Sequence, residues 1–399
     1  MSERIVITGM GAVTPIGIGV DAFWAGLRAG TCGIGDIQQI DTSSLPIHRA
    51  AEVKEFHAKE HMPNRLALDM EPYAQYAYAA AEEAFAGSGL DGSDRTGVVM
   101  GTALHGISII SRAQSDLDLK GRSAEPKLLV KCMGNIAAAH FSITHKLTGP
   151  SMTVSTACSS GGDAITLAAM FLRTGMADAM VVMAGEAAIC PTLIQSLSKI
   201  QALSPTGESL PFDQARNGFV LGEGGGAILL ERESTAKARG ARILGVLLGC
   251  ANNTDAFHPA SPAPDGAGAA ACMKLALADA GLKPEDIGYI NAHGTATPKG
   301  DVAETMAIHS VFGGLPIAVS STKGATGHMM GAGGLAEVIA CVKAVETGYL
   351  PASVGLAHQD PACDLYLVGP DAPQQDISAA LSNSMGFGGQ NSCVIVGRA

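Results

Sequence analysis

Short apolar runs alternate along the chain with longer segments in which apolar residues recur at helical spacing. The runs at residues 152–156, 179–184 and 227–230 have the length of buried strands. Residues 163–174 are apolar on nearly every face and stop at Gly175, which predicts a buried helix between the first two strands. Strands that alternate with buried helices indicate the α/β class.

The same pattern predicts the remaining elements. Residues 65–86 and 269–280 are alanine-rich and predict helices, and residues 129–147 predict another. Residues 102–128 show no regular pattern, so we expect an irregular segment there that forms a lid or part of a subunit interface. Further elements are predicted as strands at residues 4–8, 98–101 and 287–291 and as a short linking helix at residues 233–239.

The second half of the chain repeats the pattern of the first. A strand, a turn with paired glycines, a helix and a Thr-Gly stop occur at residues 154–175 and again at residues 319–348. In this alignment the pair Gly161 and Gly162 corresponds to Gly333 and Gly334. We therefore predict two fused halves related by a pseudo-twofold axis, with the N-terminal half at residues 1–240 and the C-terminal half at residues 241–399.

Cys158 lies where a predicted strand turns into a predicted helix. The free N–H groups and the positive dipole end of that helix point at its thiol. A free thiol has a pKa of about 8.5, and a helix terminus stabilises a charge by roughly 0.3–2 kcal/mol. We therefore expect Cys158 to be a nucleophile with a lowered pKa, the alternative being one more buried structural cysteine.

Two histidines stand at comparable places in the second half. His293 follows the strand predicted at residues 287–291, and His328 follows the turn at residues 323–327, each among glycines and small residues. If the halves pair about the predicted axis, both turns meet Cys158 at the centre. The set is also compatible with zinc, but a cysteine at a helix N-terminus favours nucleophilic catalysis.

Two glycine-rich runs suggest phosphate binding only weakly. Residues 9–14 have Thr14 in place of the third glycine of a dinucleotide-binding loop, and no acidic residue ends a second strand at the right distance. A tight turn after an edge strand is the favoured interpretation. Residues 222–226 lack a Gly-Lys-Ser/Thr signature and a following helix, so we expect a close backbone crossing there.

Composition narrows the class of protein. The chain has 399 residues, 47% of them hydrophobic, which is enough for a large core. Nine cysteines are scattered without Cys-x-x-Cys pairs, which predicts a reducing cytoplasm and neither a disulfide framework nor a zinc site. The net charge of −11 disfavours nucleic acid as a partner, and no apolar run reaches the length of a membrane span.

Together these residues resemble the elongating β-ketoacyl-acyl-carrier-protein synthases, type II condensing enzymes of the thiolase-like superfamily. The similarity rests on residues 156–160, 291–295, 323–328 and 386–389 and covers essentially the whole chain. It implies a thiolase-like fold in αβαβα layers, a homodimer, and chain elongation in fatty-acid synthesis.

The resemblance also implies a reaction and a set of roles. Cys158 would accept an acyl chain from acyl-carrier protein, and malonyl-acyl-carrier protein would then condense with it and lose carbon dioxide. His293 and His328 would donate hydrogen bonds to the malonyl thioester oxygen. No cofactor is implied beyond the pantetheine arm that the carrier brings. The other implied roles are an oxyanion hole from the N–H groups of Cys158 and Phe387, a gate at Phe387, a supporting pair of Lys323 and Glu337, substrate contacts at Thr295, Thr297, Leu104 and Met385, and a monovalent cation near Asn291, Glu337, Ser382 and Asn383.

Several positions depart from the family pattern. Met385 replaces a phenylalanine, Gln390 replaces a threonine, and residues 324–326 are smaller than usual. Leu104 stands at the position that limits acyl length and is followed by an unexpected His105. Acyl-chain preference therefore stays open. The alternative is a specialised ketosynthase of a polyketide or polyene pathway, paired with a chain-length-factor subunit.

Two other classes fit the sequence less well. A non-catalytic chain-length factor would lack Cys158. A thiolase or acyltransferase that uses coenzyme A would carry a second catalytic cysteine near the C-terminal glycine motif. Cys393 lies beyond that motif in an apolar run, which is typical of a structural cysteine.

The expected acidic carrier protein needs a local basic patch on this acidic chain. The resemblance places that patch at the start of the helix predicted from Arg65. Two of the following positions are Leu68 and Asp69, which predicts a weakened or altered docking site. The remaining basic candidates are Arg65, Lys59, Lys127 and Lys131.

Overall fold

A computed structural model describes residues 3–371 and 374–399 of the chain. Three single turns of 3₁₀ helix supplement its strands and helices, at Ala157–Ser159, Pro284–Asp286 and Met330–Ala332. The strands are β1 (Ile5–Thr14), β2 (Gly17–Ile18), β3 (Gly35–Asp36), β4 (Arg49–Ala50), β5 (Thr96–Gly101), β6 (Ser151–Val154), β7 (Ala179–Glu186), β8 (Gly224–Arg232), β9 (Gly245–Thr254), β10 (Tyr289–Asn291), β11 (Ala318–Ser320), β12 (Tyr366–Leu367), β13 (Ala379–Gly386) and β14 (Gln390–Gly397). The helices are α1 (Val20–Arg28), α2 (Ala58–His61), α3 (Asn64–Ala67), α4 (Pro72–Phe85), α5 (Ile107–Lys120), α6 (Leu128–Cys132), α7 (Ile136–His145), α8 (Ser160–Arg173), α9 (Pro191–Lys199), α10 (Glu233–Ala238), α11 (Ala267–Ala280), α12 (Pro298–Phe312), α13 (Lys323–Thr326) and α14 (Gly333–Thr347).

Two sets of five strands have the same topology. The first set has the order β6-β5-β7-β8-β1, and the second has the order β11-β10-β13-β14-β9. In each set the first three strands run parallel and the last two pairings are antiparallel. A short antiparallel pairing of β1 with β9 joins the sets, and β12 extends the second one. This equivalence confirms the predicted pseudo-twofold relation.

Helices α8 and α14 form the layer between the two sheets. They cross closely because glycines face each other: a Cβ on Gly161 would lie 3.0 Å from the nitrogen of Leu335, and one on Gly334 would lie 3.1 Å from the nitrogen of Gly162. Helices α4 and α7 cover the outer face of the first sheet, and α11 and α12 cover that of the second. The predicted αβαβα layering is therefore confirmed.

The glycines at residues 9–14 form neither a nucleotide-binding loop nor a turn after an edge strand, so both interpretations are wrong. The segment continues β1, which lies inside the sheet between β8 and β9. A Cβ on Gly9 would lie 1.8 Å from the carbonyl oxygen of Ala84, and one on Gly11 would lie 1.9 Å from that of Ala80. These glycines let α4 pack directly on the strand. The close crossing expected at residues 222–226 is confirmed, since a Cβ on Gly225 would collide with Tyr76.

Three predicted helix boundaries are wrong. The helix expected over residues 65–86 starts only at Pro72, because proline suits the first turn of a helix and not its interior. The segment 102–128 contains the 14-residue helix α5, of which only Ile109 is buried, so no apolar stripe marks it in the sequence. The helix expected at residues 129–147 divides into α6 and α7 around Gly134.

The strand before Cys158 is not buried within one chain. Within residues 3–371 and 374–399, β6 pairs with β5 alone and leaves its other edge open, and Met152 on it is 50% exposed. The apolar residues of β6 predicted a buried strand, and that prediction is wrong for this chain by itself. Among the described residues, no helix is long and apolar enough to span a membrane.

Candidate active site

Cys158 sits in a strained turn between β6 and α8. The residue before it, Ala157, has a left-handed backbone with φ of 51°, which costs energy for a residue other than glycine. The side chain of Ser160 holds this turn, since its hydroxyl accepts a hydrogen bond of 2.9 Å from the N–H of Thr156 and donates one of 2.6 Å to the carbonyl of Ala157. The turn presents Cys158 at the start of the buried helix, as the sequence indicates.

The structure brings the two predicted histidines to this thiol. Nε2 of His328 lies 3.0 Å from Sγ of Cys158. The ring of His293 stands at 85° to that of His328, with 5.3 Å between the ring centroids. All three side chains are buried, and Nδ1 of each histidine has no hydrogen-bond partner among the described residues. Both Nδ1 atoms are shielded from solvent, so the Nε2 side of each ring is the side left for the thiol or a substrate.

Burial decides the protonation of these groups. It lowers the pKa of both His293 and His328 well below the ordinary value, and the positive charge of Lys323 lowers both further. Burial also raises the pKa of the Cys158 thiol to about 12, against the opposing effects of Lys323 and the N–H of Phe387. The expected lowering of the thiol pKa is thus wrong for the resting site, because desolvation of a thiolate outweighs those favourable groups.

Phe387 lies beside Cys158 in the turn between β13 and β14. Its backbone N–H faces the thiol and favours the thiolate, and its side chain packs into the apolar cluster around Cys158. The adjacent Gly386 has no room for a side chain, since a Cβ there would lie 2.7 Å from the carbonyl of Thr156. The main-chain N–H groups of Phe387 and Cys158 therefore both lie close to the sulfur of Cys158.

Lys323 and Glu337 form a buried ion pair behind the histidines. Lys323 belongs to α13 and Glu337 to α14, so the pair connects the segment that carries His328 to the central helix layer. Burial raises the pKa of Glu337, while the Lys323 charge opposes that rise. A buried lysine paired in this way is a fixed charge, suited to holding neighbouring groups in place.

A cavity of about 750 Å³ leads to Cys158 and the two histidines. Thr295 and Thr297 lie on its wall with their hydroxyl oxygens 3.1 Å apart, and Met385 and Phe387 line it as well. Leu104 does not line this cavity; it packs in the apolar cluster that surrounds Cys158. Its role in limiting acyl length stays a prediction.

Two buried carboxylates on α12 were not found from the sequence. Glu304 accepts hydrogen bonds of 2.8 Å from the backbone N–H groups of His293 and Gly294. Asp301, one turn earlier, accepts a 2.8 Å hydrogen bond from the N–H of Phe212. They hold the loop that carries His293, Thr295 and Thr297. The available signal was two acidic residues three positions apart in a helix whose neighbouring residues are apolar.

A third buried carboxylate, Glu186, was also missed. It ends β7 and accepts hydrogen bonds from the N–H groups of Ala103 at 2.8 Å, Leu104 at 3.1 Å and Gly331 at 3.2 Å. Burial raises its pKa to about 7 despite these bonds. It fixes the segment with Leu104 against the turn that precedes α14.

The residues expected near a monovalent cation do not all face one point. The side chains of Asn291 and Ser382 are cross-strand neighbours, and Oδ1 of Asn291 is buried without a partner among the described residues. Asn383, the next residue along β13, points to the opposite face and donates to Glu304 at 3.3 Å. Glu337 is paired with Lys323. The fit to a cation therefore rests on Asn291, and the described residues form no cluster of three His, Cys, Asp or Glu that suits a metal ion.

The predicted docking segment differs from the expected helix start. Arg65 is exposed on the single turn α3, and Leu68 just after it is 74% exposed. Asp69 forms an ion pair with Lys127, and Lys131 pairs with Glu125 at 2.9 Å. Two of the candidate lysines are therefore partly neutralised, whereas Arg65 and Lys59 form no ion pair with the residues that the structure describes.

Comparison with known proteins agrees with this geometry. Residues 2–236 match the family described as beta-ketoacyl synthase, N-terminal domain, and residues 244–357 match the C-terminal domain of that family. The chain is 39% identical to 3-oxoacyl-(acyl-carrier-protein) synthase 2 of Synechocystis sp. over 401 residues, 98% of this chain and 96% of the relative.

Two solved structures are similar over the full length of both chains. The ishigamide ketosynthase/chain length factor superposes with a TM-score of 0.94 and 32% identity. A type II PKS acyl-carrier protein in complex with its ketosynthase gives a TM-score of 0.91 and 29% identity. The two family matches, the identity to the Synechocystis relative and the shared fold agree. This chain therefore belongs to the β-ketoacyl synthase family.

Proposed function

We propose that this protein is a 3-oxoacyl-acyl-carrier-protein synthase that elongates fatty-acyl chains. It joins an acyl group carried on Cys158 to malonyl-acyl-carrier protein by decarboxylative Claisen condensation. The observation that carries the proposal is the 3.0 Å contact between the Cys158 thiol and His328, beside His293 in a buried cavity. The name of the Synechocystis relative supports it.

In the first half-reaction Cys158 attacks the thioester carbonyl of the acyl-carrier protein. Because the thiol is protonated at rest, the neutral Nε2 of His328 takes its proton as the sulfur–carbon bond forms. The N–H groups of Cys158 and Phe387 stabilise the oxyanion. The carrier thiolate leaves and takes this proton from His328, which leaves an acyl-Cys158 thioester and a neutral imidazole.

In the second half-reaction malonyl-acyl-carrier protein occupies the same cavity. Neutral His293 donates an N–H hydrogen bond to its thioester oxygen, where negative charge develops as carbon dioxide leaves, and neutral His328 donates a second one after its ring hydrogen has moved to Nε2. One such donor is worth roughly 3–4 kcal/mol. The enolate carbon attacks the acyl-Cys158 carbonyl, the carbon–sulfur bond breaks, and the β-ketoacyl chain departs on the carrier. The Cys158 sulfur leaves as a thiolate and takes up one proton from solvent, which restores the resting thiol.

The supporting residues keep this geometry. Lys323 and Glu337 hold the histidine segment, and Thr295 and Thr297 receive the pantetheine arm at the cavity wall. No cofactor takes part beyond that arm. A monovalent cation would be held by the unpartnered Oδ1 of Asn291, and replacing potassium by a bulky quaternary ammonium ion would test it through thermal stability.

The partners proposed are acyl-carrier protein, malonyl-acyl-carrier protein and a second copy of this chain, in the cytoplasm. The complex of a similar ketosynthase with an acyl-carrier protein supports the first. The open edge of β6 supports the dimer, because an unpaired strand edge pairs readily with another chain. Exposed apolar side chains add to that surface, namely Met152 on β6 itself, Ile143 on α7 and Met170 on α8.

A second candidate is a ketosynthase of a polyketide or polyene pathway that pairs with a chain-length factor. The observation in its favour is the TM-score of 0.94 with the ishigamide ketosynthase/chain length factor. Light scattering of the purified chain, read together with its condensation activity, distinguishes a homodimer from a chain that pairs with a chain-length factor. A chain that needs a different subunit stays monomeric or inactive alone.

Intact-mass spectrometry with a set of acyl-carrier proteins tests the main proposal. The expected result is an acyl adduct on Cys158, followed by β-ketoacyl-carrier product once malonyl-carrier is added. Absence of any adduct across short and long chains contradicts the proposal. The longest accepted chain, measured in the same experiment, shows whether Leu104 limits the pocket.

A further inference from the structure

One basic side chain at the mouth of the cavity has no role in the mechanism above. Lys299 lines the cavity and is exposed, and it lies on the first turn of α12, two residues after Thr297. No carboxylate in the described part of the chain forms an ion pair with it. Its charge is therefore available to an incoming molecule.

The other charged residues along the cavity are already engaged. Arg216 pairs with Asp360 at 2.6 Å and lies 3.7 Å from Asp301. Asp255 accepts a 2.7 Å hydrogen bond from the side chain of Asn391 and a 3.1 Å bond from the N–H of Ala263. Lys299 is the charged side chain of this lining that the protein itself leaves uncommitted.

Helix stability does not explain a lysine at this position. The first turn of a helix carries the positive end of the macrodipole, so a cation there is unfavourable. The carboxylate of Asp301 in the same turn is buried, accepts the N–H of Phe212, and forms no ion pair with Lys299. A position that opposes a local rule points to a function.

We propose that Lys299 binds the phosphate group that joins the pantetheine arm to the carrier protein; this rests on the proposed function. The arm enters past Thr295 and Thr297, and Lys299 stands just beyond them at the mouth. The phosphate is the charged group of an otherwise neutral arm, and an ammonium group binds phosphate as a point charge. Lys299 thus recognises the anchored end of the arm while the thioester reaches Cys158.

The test uses substrates that differ only in this phosphate. Acyl-Cys158 enzyme is given malonyl-phosphopantetheine or malonyl-pantetheine, and kcat/KM for condensation is measured at low and moderate salt. The wild type should prefer the phosphorylated substrate by roughly three- to tenfold, the effect of one partly screened charge pair. Lys299→Ala should lose that preference and its salt dependence.

The matched control is Lys274→Ala, which removes an exposed lysine on α11 away from the cavity lining. It should keep the full preference. The melting temperature of Lys299→Ala should equal or exceed that of the wild type, because the variant removes an unfavourable charge–dipole contact.

Each other result overturns a stated part of the proposal. Equal use of both substrates by the wild type shows that Lys299 does not read the phosphate, while condensation itself stands. An effect of Lys299→Ala seen only with the intact carrier protein assigns the lysine to a carboxylate on the carrier surface and overturns the phosphate assignment. No condensation with any substrate overturns the proposed function.

Discussion

The turn that presents Cys158 and its counterpart in the second half have the same backbone and different chemistry. In the first half a 3₁₀ turn at Ala157–Ser159 leads into α8, and in the second half one at Met330–Ala332 leads into α14. Each turn begins with a left-handed residue, Ala157 at φ 51° and Met330 at φ 47°. Cys158 and Gly331 therefore occupy equivalent positions.

The second turn has no space for a side chain where the first carries its thiol. A Cβ on Gly331 would lie 2.6 Å from the nitrogen of Ala103 and 2.9 Å from the Glu186 carboxylate. Lys323 and His328 come instead from the connection between strand and turn, which is residues 321–329 there and only residues 155–156 in the first half, while His293 follows β10. The duplicated scaffold thus places the nucleophile with one copy and Lys323 and His328 with an enlarged loop of the other.

Removing the Cys158 thiol should have the largest effect on activity, because it abolishes the chemical difference between the two turns. In Cys158→Ala, condensation should fall by at least about a thousandfold, because no acyl-enzyme can form. Malonyl decarboxylation should persist, since His293 and His328 are intact. Carbon dioxide release and β-ketoacyl product are measured in the same samples. Cys190→Ala, a buried cysteine of the same apolar cluster, is the control that should retain both reactions.

The histidines come next in effect and should not be equivalent. His293→Ala should lower decarboxylation roughly a hundredfold through loss of one donor, and should leave self-acylation of Cys158 much less affected. His328→Ala should impair both half-reactions, because this ring lies 3.0 Å from the thiol. Single-turnover acylation and carbon dioxide release report the two steps. Equal losses in both steps for His293→Ala would mean that it mainly organises the site.

Gly331→Ala tests the absence of a side chain in the second turn. The added methyl collides with the Ala103 backbone and with Glu186, and overpacking of this kind costs roughly 1–3 kcal/mol. The melting temperature should therefore fall. Gly314→Ala is the matched control, since a Cβ there meets nothing within 4 Å. An unchanged melting temperature for Gly331→Ala would show that the two turns tolerate the same residues.

The sequence predicted those features of the two turns that follow from the local pattern of residues. Apolar runs, glycine stops and the strand–turn–helix repeat indicated the duplication and the positions of Cys158, His293 and His328. The detailed alignment was off by one residue: Gly161 corresponds to Gly334, because α8 begins at Ser160 and α14 at Gly333. A one-residue shift is invisible when both candidate positions are glycine.

The remaining features depend on tertiary contacts that no local pattern encodes. Glu186 and Glu304 accept hydrogen bonds from backbone N–H groups elsewhere in the chain, and their local sequence does not show which groups these are. The open edge of β6 results from strand order, while α5 is too exposed to show an apolar stripe. The pKa of Cys158 was misjudged because the helix terminus is local and the desolvation that opposes it is not.

The smallest expected effect concerns the resting state of that thiol. Burial raises the pKa of Cys158 to about 12, so only a minor fraction is thiolate near neutral pH. Alkylation of Cys158 by iodoacetamide should therefore rise about tenfold per pH unit up to pH ~10, where a free thiol with a pKa of about 8.5 has already levelled off. Peptide mass spectrometry assigns the modified residue, with N-acetylcysteine as the reference. A plateau below pH ~8 would mean that the first turn stabilises a thiolate in the free enzyme, and that His328 is not needed to take the proton when the acyl group arrives.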